Sequence, residues 1–258
     1  MRQFFRFFLG LAMAATLAAT AQAGPRLDRI MDSKVIRVGT PGDYRPFAIK
    51  TDKGGYEGHD IDVIEAMAKG LGVKVEYVQT SWPNLMKDLL GDKFDVAVGG
   101  ITRNAARIRQ AAMLPGYAPF GKVALVRKDE ASKYKSVSDL NQSSVRVIKN
   151  PGGTNEAFVL ENLKQAQVST HDKNAEIPAL IAGGKGDVMI TETYEALHYS
   201  KTDPRLAAIF VDHPLTPKNE LGFLLPIDDA DYLRIMQFAW DLADERDVLE
   251  QAEDRWLK

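Results

Sequence analysis

The chain has 258 residues, 45% of them hydrophobic and 26% charged, and a formal net charge of −2. That is the make-up of a folded globular protein with one large or two smaller domains, and it lacks the basic excess of a nucleic-acid binder. There is no cysteine, which removes disulfides, thiol nucleophiles, thiolate metal sites and iron–sulfur chemistry from consideration.

Residues 1–23 read as a secretory signal peptide. Arg2 and Arg6 give a basic start, residues 9–19 are apolar and alanine-rich, and Ala21-Gln22-Ala23 suits a small-residue cleavage site. The apolar run is short for a membrane span, and no cysteine stands near the cleavage site to carry a lipid. The mature protein is expected to begin at Gly24, in the periplasm. It then carries about four more acidic than basic residues. An exported chain without disulfides must be held by its core, and this length can supply one.

From residue 35 onward strands and helices alternate. Residues 35–39 read as a strand. Asp60-Ile61-Asp62 leads into a helix ending near Gly70. Residues 73–78 form the next strand. Ser81-Trp82-Pro83-Asn84 opens a helix with Pro83 at its first position, and Gly91 ends it. Residues 94–98 are again a strand, followed by Gly99-Gly100. This alternation predicts an α/β protein with parallel strands. The helix–glycine–strand pattern of residues 85–98 returns at residues 177–190, as two lobes of similar build would produce. Similar βα units within one domain would give the same echo.

Asn150-Pro151-Gly152-Gly153-Thr154-Asn155-Glu156 lies between a predicted strand (residues 145–148) and a predicted helix (residues 157–163). Glycines let the backbone approach a ligand, and the first N–H groups of a helix are unpaired and partly positive. With Asn150, Thr154 and Asn155 as side-chain donors, the turn suits a small carboxylate or phosphate. The same residues also fit an ordinary turn with Thr154 as N-cap. Ligands of open α/β sheets sit beyond the carboxyl ends of strands, which draws attention to residues 39–44, 80–82, 99–107, 150–155 and 191–195. His59, His171, His198 and His213 show no metal-ligand spacing, and neither a nucleotide phosphate loop nor a serine triad can be assembled. No metal or organic cofactor is expected.

Gly58-His59-Asp60-Ile61-Asp62-Val63, Gly99-Gly100-Ile101-Thr102 with Arg107, and the Gly153-Thr154 turn resemble the periplasmic solute-binding proteins of the amino-acid type, over nearly the whole mature chain. Three stretches, at residues 40–47, 80–86 and 150–156, most resemble the members of that family turned to catalysis, the dehydratases of prephenate and arogenate. The resemblance implies a two-lobed, periplasmic-binding-protein-like type II fold with two crossover segments. One lobe would hold residues 24–117 and 221–258, the other residues 123–215, with hinges at 118–122 and 216–220. The C-terminal helix would return to the first lobe, with Leu233, Met236 and Trp240 in its core.

The resemblance also implies roles. Arg107 would grip a substrate carboxylate, as a guanidinium does with two parallel bonds; its neighbours Arg103 and Arg109 read as solvated helix arginines. Glu195 matches the general acid of the dehydratases, and Glu192 stands where amino-acid binders hold the ligand's ammonium. A carboxyl group can donate a proton near neutral pH only if burial raises its pKa. Both glutamates also suit the exposed first turn of a helix. Lys122 matches a dehydratase lysine and would meet a second carboxylate, or else be a hinge lysine in water. Asp43, Tyr44, Trp82, Gly100 and Thr102 complete the expected substrate site, while Gly99 stands where those dehydratases carry serine. The expected function is acid-assisted dehydration and decarboxylation of prephenate, and of arogenate. The rival is a receptor delivering a small amino or carboxylic acid to an ABC permease.

Overall fold

The computed structural model describes residues 24–258; the expected signal peptide lies outside the described residues. Two five-stranded sheets organise the chain. The first runs in the order Lys74–Gln79, Val35–Thr40, Val96–Ala97, Leu224–Leu225, Ala112–Met113. The second runs Gln167–Thr170, Arg146–Lys149, Val188–Glu192, Lys122–Arg127, Leu206–Ile209. In each, three parallel strands are followed by one running antiparallel to them. The expectation of parallel strands therefore holds for the part built by βα units, and the fourth strand of each sheet departs from it. In both sheets that strand adjoins a passage between lobes, where no helix intervenes to reverse the chain.

The repeat seen in the sequence is structural. Helix Leu85–Leu90 with strand Val96–Ala97, and helix Ile177–Ala182 with strand Val188–Glu192, occupy the same third place in their sheets. The strand Lys122–Arg127 is apolar on both faces because it is covered on both. Ala124 and Val126 pack into one cluster with Val147 and Val188, and Val123 and Leu125 into another with Ile177 and Met189. Just before it, Tyr117–Phe120 pairs antiparallel with Asn219–Leu221, so the outgoing and returning passages are zipped together.

The C-terminal helix Ala230–Glu245 packs on the core of the first sheet. Met236 and Trp240 are buried and Leu233 packs partly buried against the same cluster. Burial of a side chain the size of Met236 stabilises by about 1.5–3 kcal/mol. Asp229 caps this helix by accepting from Tyr232 N at 2.9 Å. Its other oxygen accepts from Arg26 N and Leu27 N at 3.0 Å, joining helix Pro25–Ser33 to it. Two helix starts differ from expectation. The helix after Trp82 begins at Leu85 with Asn84 before it, because the backbone N–H of Asn84 turns back to Ser81 O and leaves Pro83 in a turn. The helix after the glycine turn begins at Thr154, with Gly153 as its N-cap and no side-chain cap. Thr154 is thereby released from capping and points its hydroxyl elsewhere.

Candidate active site

The carboxyl ends of both sheets face one another across a small cavity. Tyr44, Trp82, Gly100, Thr102 and Arg107 line it from the first lobe, and Asn150, Gly153, Thr154, Asn155 and Glu192 from the second. Its volume is about 20 Å³, room for about one water. The lobes are closed. Gly152 shows how tightly: at φ +82° it lies against Pro83, and a Cβ there would come 2.4 Å from Pro83 N. A second, open cavity of about 360 Å³ adjoins at the mouth of the cleft, bordered by Asp43, Trp82, Pro83, Pro151 and Lys173.

The first-lobe wall is fixed by an acid that the sequence reading did not single out. Asp60 Oδ2 accepts from Gly99 N and Gly100 N, both at 2.8 Å, and Oδ1 accepts from Tyr117 OH at 2.6 Å. The side chain is fully buried, so these bonds replace its water. They hold the glycine loop at φ +119° and +71°, conformations L side chains rarely adopt. Gly100 lies against the Tyr44 ring, where a Cβ would meet Cδ1 at 2.5 Å. The glycine at position 99 thus follows from the backbone.

Arg107 sits in the short helix Ala105–Ile108, whose N-cap Asn104 accepts from Arg107 N at 3.0 Å. Its Nη1 donates to Thr102 O at 2.6 Å. Burial lowers its pKa to about 10, so it remains a cation at neutral pH, facing the cavity. Arg103 is not a solvated helix arginine: it precedes that helix and pairs with Glu220 at 2.7 Å, tying the glycine loop to the returning passage.

Across the cavity, Lys122 Nζ donates to Thr154 Oγ1 at 2.8 Å, to Asn155 Oδ1 and to Glu192 Oε1. The Tyr44 hydroxyl donates to the other Glu192 oxygen. Lys122 is 6% exposed and Glu192 3%, so neither a hinge lysine in water nor an exposed glutamate describes them. Loss of water pushes the Glu192 carboxyl up to about 8 and Lys122 well below the usual lysine range.

Glu195 lies in the first turn of helix Thr193–Thr202 and is fully buried. The reading that placed it on an exposed turn fails, because the turn points inward under the cavity. Its Oε1 accepts from Asn174 Nδ2 at 2.6 Å and Oε2 from Thr191 Oγ1. Burial pushes its pKa well above the carboxylate range, and the charges of Glu192 and Asp43 push the same way. Asp43 is raised by burial too, with Trp82 Nε1 donating to its Oδ1 at 2.9 Å.

Of the twelve residues expected from sequence, Tyr44, Trp82, Gly100, Thr102, Arg107, Asn150, Thr154, Asn155 and Glu192 line the cavity itself. Lys122 and Glu195 stand behind that lining, and Asp43 faces the neighbouring cavity behind Trp82. Asp60 and Asn174 support the site and were not foreseen; Thr191, which also supports it, lay within the stretch 191–195 marked from the sequence. Asp60 had a signal, an acid directly after Gly58-His59 in the stretch that carries the family resemblance. Asn174 had none, being an isolated asparagine in a loop.

Residues 36–258 match the family of bacterial extracellular solute-binding proteins, family 3, and the chain belongs to that family. It is 40% identical over 250 residues to the cyclohexadienyl dehydratase of Pseudomonas aeruginosa, covering 96% of this chain and 91% of that one. Among solved structures it resembles the ancestral amino acid-binding protein AncCDT-1, a precursor of cyclohexadienyl dehydratase, with TM-score 0.83, 33% identity, and 90% of this chain and 100% of that one covered. It also resembles a point variant of an ancestral cyclohexadienyl dehydratase, AncCDT-3, with TM-score 0.56, 47% identity, and 92% and 98% covered. The two-lobed fold is that of these proteins. No helix among the described residues is long and apolar enough to cross a membrane.

Proposed function

We propose that the chain is a cyclohexadienyl dehydratase that converts prephenate to phenylpyruvate, and arogenate to phenylalanine. The observation that carries this reading is a buried carboxylic acid, Glu195, with its pKa raised by desolvation, directly under a cavity equipped with cations. The 40% identity to a cyclohexadienyl dehydratase supports it.

The chemistry needs such a group. Prephenate carries a poor leaving group, hydroxide, opposite a ring carboxylate. Protonation lets the hydroxyl leave as water while the ring carboxylate leaves as CO2, and the electron pair of the broken C–C bond completes the aromatic ring. Each turnover consumes one proton. An acid at its ordinary pKa would be ionised at neutral pH; a desolvated one holds its proton until the leaving oxygen takes it.

The other roles follow from placement. Arg107 takes the side-chain carboxylate, aided by the first-turn N–H groups of the helix that begins at Thr154 and by the hydroxyl of Thr102. Lys122 meets the second carboxylate with Thr154 and Asn155. Tyr44, Trp82, Asn150, Gly100 and Asp43 wall and orient the ring, and Glu192 holds Lys122 in place. A cavity of about 20 Å³ cannot admit prephenate, so the lobes part and close again, turning on residues 118–122 and 216–220. Closure excludes water and strengthens these electrostatics. The enzyme works in the periplasm after removal of residues 1–23.

The test is to mix residues 24–258 with prephenate at neutral pH and follow phenylpyruvate, with Glu195→Gln as control. Turnover that falls about 100- to 10,000-fold in the variant, with binding retained, is the expected result. A native protein that binds carboxylates or amino acids without turning over prephenate or arogenate would be a transport receptor instead.

A further inference from the structure

Asn174 touches both sides of the cleft. It lies in the short turn Asn174–Glu176 after strand Gln167–Thr170, fully buried. The turn is pinned from outside by Glu176, which pairs with His171 at 2.8 Å and Lys173 at 2.9 Å. Inside, Nδ2 gives one hydrogen to Glu195 Oε1 at 2.6 Å and the other to Asp43 O at 3.3 Å. Its Oδ1 is buried with no hydrogen-bond partner among the described residues. Asp43 belongs to the first-lobe hairpin that carries Tyr44, whereas Glu195 belongs to the second lobe.

We propose that Asn174 is a positioning residue that couples lobe closure to the placement of the proton donor Glu195; this rests on the reading of Glu195 as the acid. A planar amide held by two acceptors has one orientation. When the lobes part, the bond to Asp43 O is lost and the amide is free to turn, so Glu195 is aimed only in the closed cleft. The same contact serves the proton transfer. Glu195 gives its proton to the leaving hydroxyl, the C–O bond breaks, and the carboxylate left behind accepts from Asn174 N–H and Thr191 O–H. A half-turn of the amide would present Oδ1 to the protonated acid, which explains how one side chain can face both states without lasting cost to its unpaired oxygen. The other groups that act on Glu195 are Glu192 from its strand, Lys122 from the adjoining strand, Asp43 from the first lobe and Tyr199 from its own helix.

The experiment is the pH profile of kcat for prephenate in the native chain, Asn174→Ala and Asn174→Asp, beside Glu195→Gln. Asn174→Ala should lower kcat about 10- to 100-fold with KM changed by less than about 3-fold. It should also move the alkaline limb to higher pH, because the ionised acid has lost a donor. Asn174→Asp, which keeps the shape but adds a like charge, should move that limb further the same way. An unmoved limb in a folded variant, or an unchanged kcat, overturns the proposal; if Asn174→Ala does not fold, Asn174→Asp decides. Turnover retained in Glu195→Gln would instead sink the assignment of the acid, whatever Asn174 does.

Discussion

Replacing Glu195 by Gln should stabilise the protein above about pH 4.5 while lowering turnover about 100- to 10,000-fold. The folded carboxyl is held neutral by burial, with a pKa well above the unfolded value of 4.5. The folded state therefore binds this proton more tightly than the unfolded state. Its contribution to stability is full below pH 4.5 and is lost as pH rises, at about 1.4 kcal/mol per pH unit, until the folded carboxyl itself ionises. Gln has no proton to lose. It can accept from Asn174 Nδ2 through its amide oxygen and donate to Thr191 Oγ1, so the contacts survive the exchange. The two proteins should melt together at about pH 4.5 and diverge above it. A chain of this size shifts by about 2–4 °C per kcal/mol, so each pH unit should open a gap of about 3–6 °C in favour of the variant. The assay is thermal unfolding by circular dichroism of residues 24–258 at half-unit steps from about pH 4.5 to 8. Parallel curves, or a variant less stable at neutral pH, would refute the claim that Glu195 is held protonated by burial.

Arg107→Ala removes the cation facing the cavity. Loss of one partner of a desolvated charge pair costs about 2–5 kcal/mol, roughly a 30- to 5,000-fold fall in kcat/KM for prephenate, which steady-state kinetics would read. Its stability should change little, since the guanidinium bonds only Thr102 O among the described residues. Asp60→Ala orphans the buried N–H groups of Gly99 and Gly100, at about 1–3 kcal/mol each. It should lower the melting temperature by about 4–24 °C and raise KM through loosening of the loop that carries Thr102. An unchanged melting temperature would show that the loop does not depend on this carboxylate.

Much of the fold was legible because it is written in local pattern. The runs at residues 35–40, 74–79 and 146–149 are short and carry β-branched residues; Pro41 closes the first, Asn150 closes the last, and Gly72 precedes the middle one. What could not be read was the antiparallel fourth strand of each sheet. Lys122–Arg127 and Leu224–Leu225 look like any other apolar runs, and their direction is set by where the chain re-enters a lobe. The helix start at Leu85 was misplaced because a proline suits both a first turn and the turn before it. Lining residues were legible through the glycine loops that deliver them. Burial was not: Glu192 and Glu195 occupy a helix start, where acids are common on the surface, and only the tertiary packing of that turn under the cavity separates the two cases. Asn174 needs a partner 131 residues away to acquire meaning, and no local signal marks it.

The pairing of Lys122 with Glu192 bears on how a receptor cleft can hold an enzyme. A receptor for a zwitterion needs a cation for the carboxylate and a free anion for the ammonium. Here Arg107 remains available for the first task, but Glu192, the carboxylate among the residues lining the cavity, is occupied by Lys122 and Tyr44. The balance of the cleft moves toward a ligand with two carboxylates. Closure then does a second thing at no further structural cost. In the closed cleft desolvation is the largest cause of the raised pKa of Glu195, so excluding water around a bound ligand and keeping this carboxyl protonated work in the same direction. A fold that closes on its ligand thus already contains the means to hold a carboxylic acid protonated at neutral pH. On the proposed reading, the change from binding to turnover requires a glutamate on the inward turn at 195 and donors, Thr191 and Asn174, to receive it once its proton has gone.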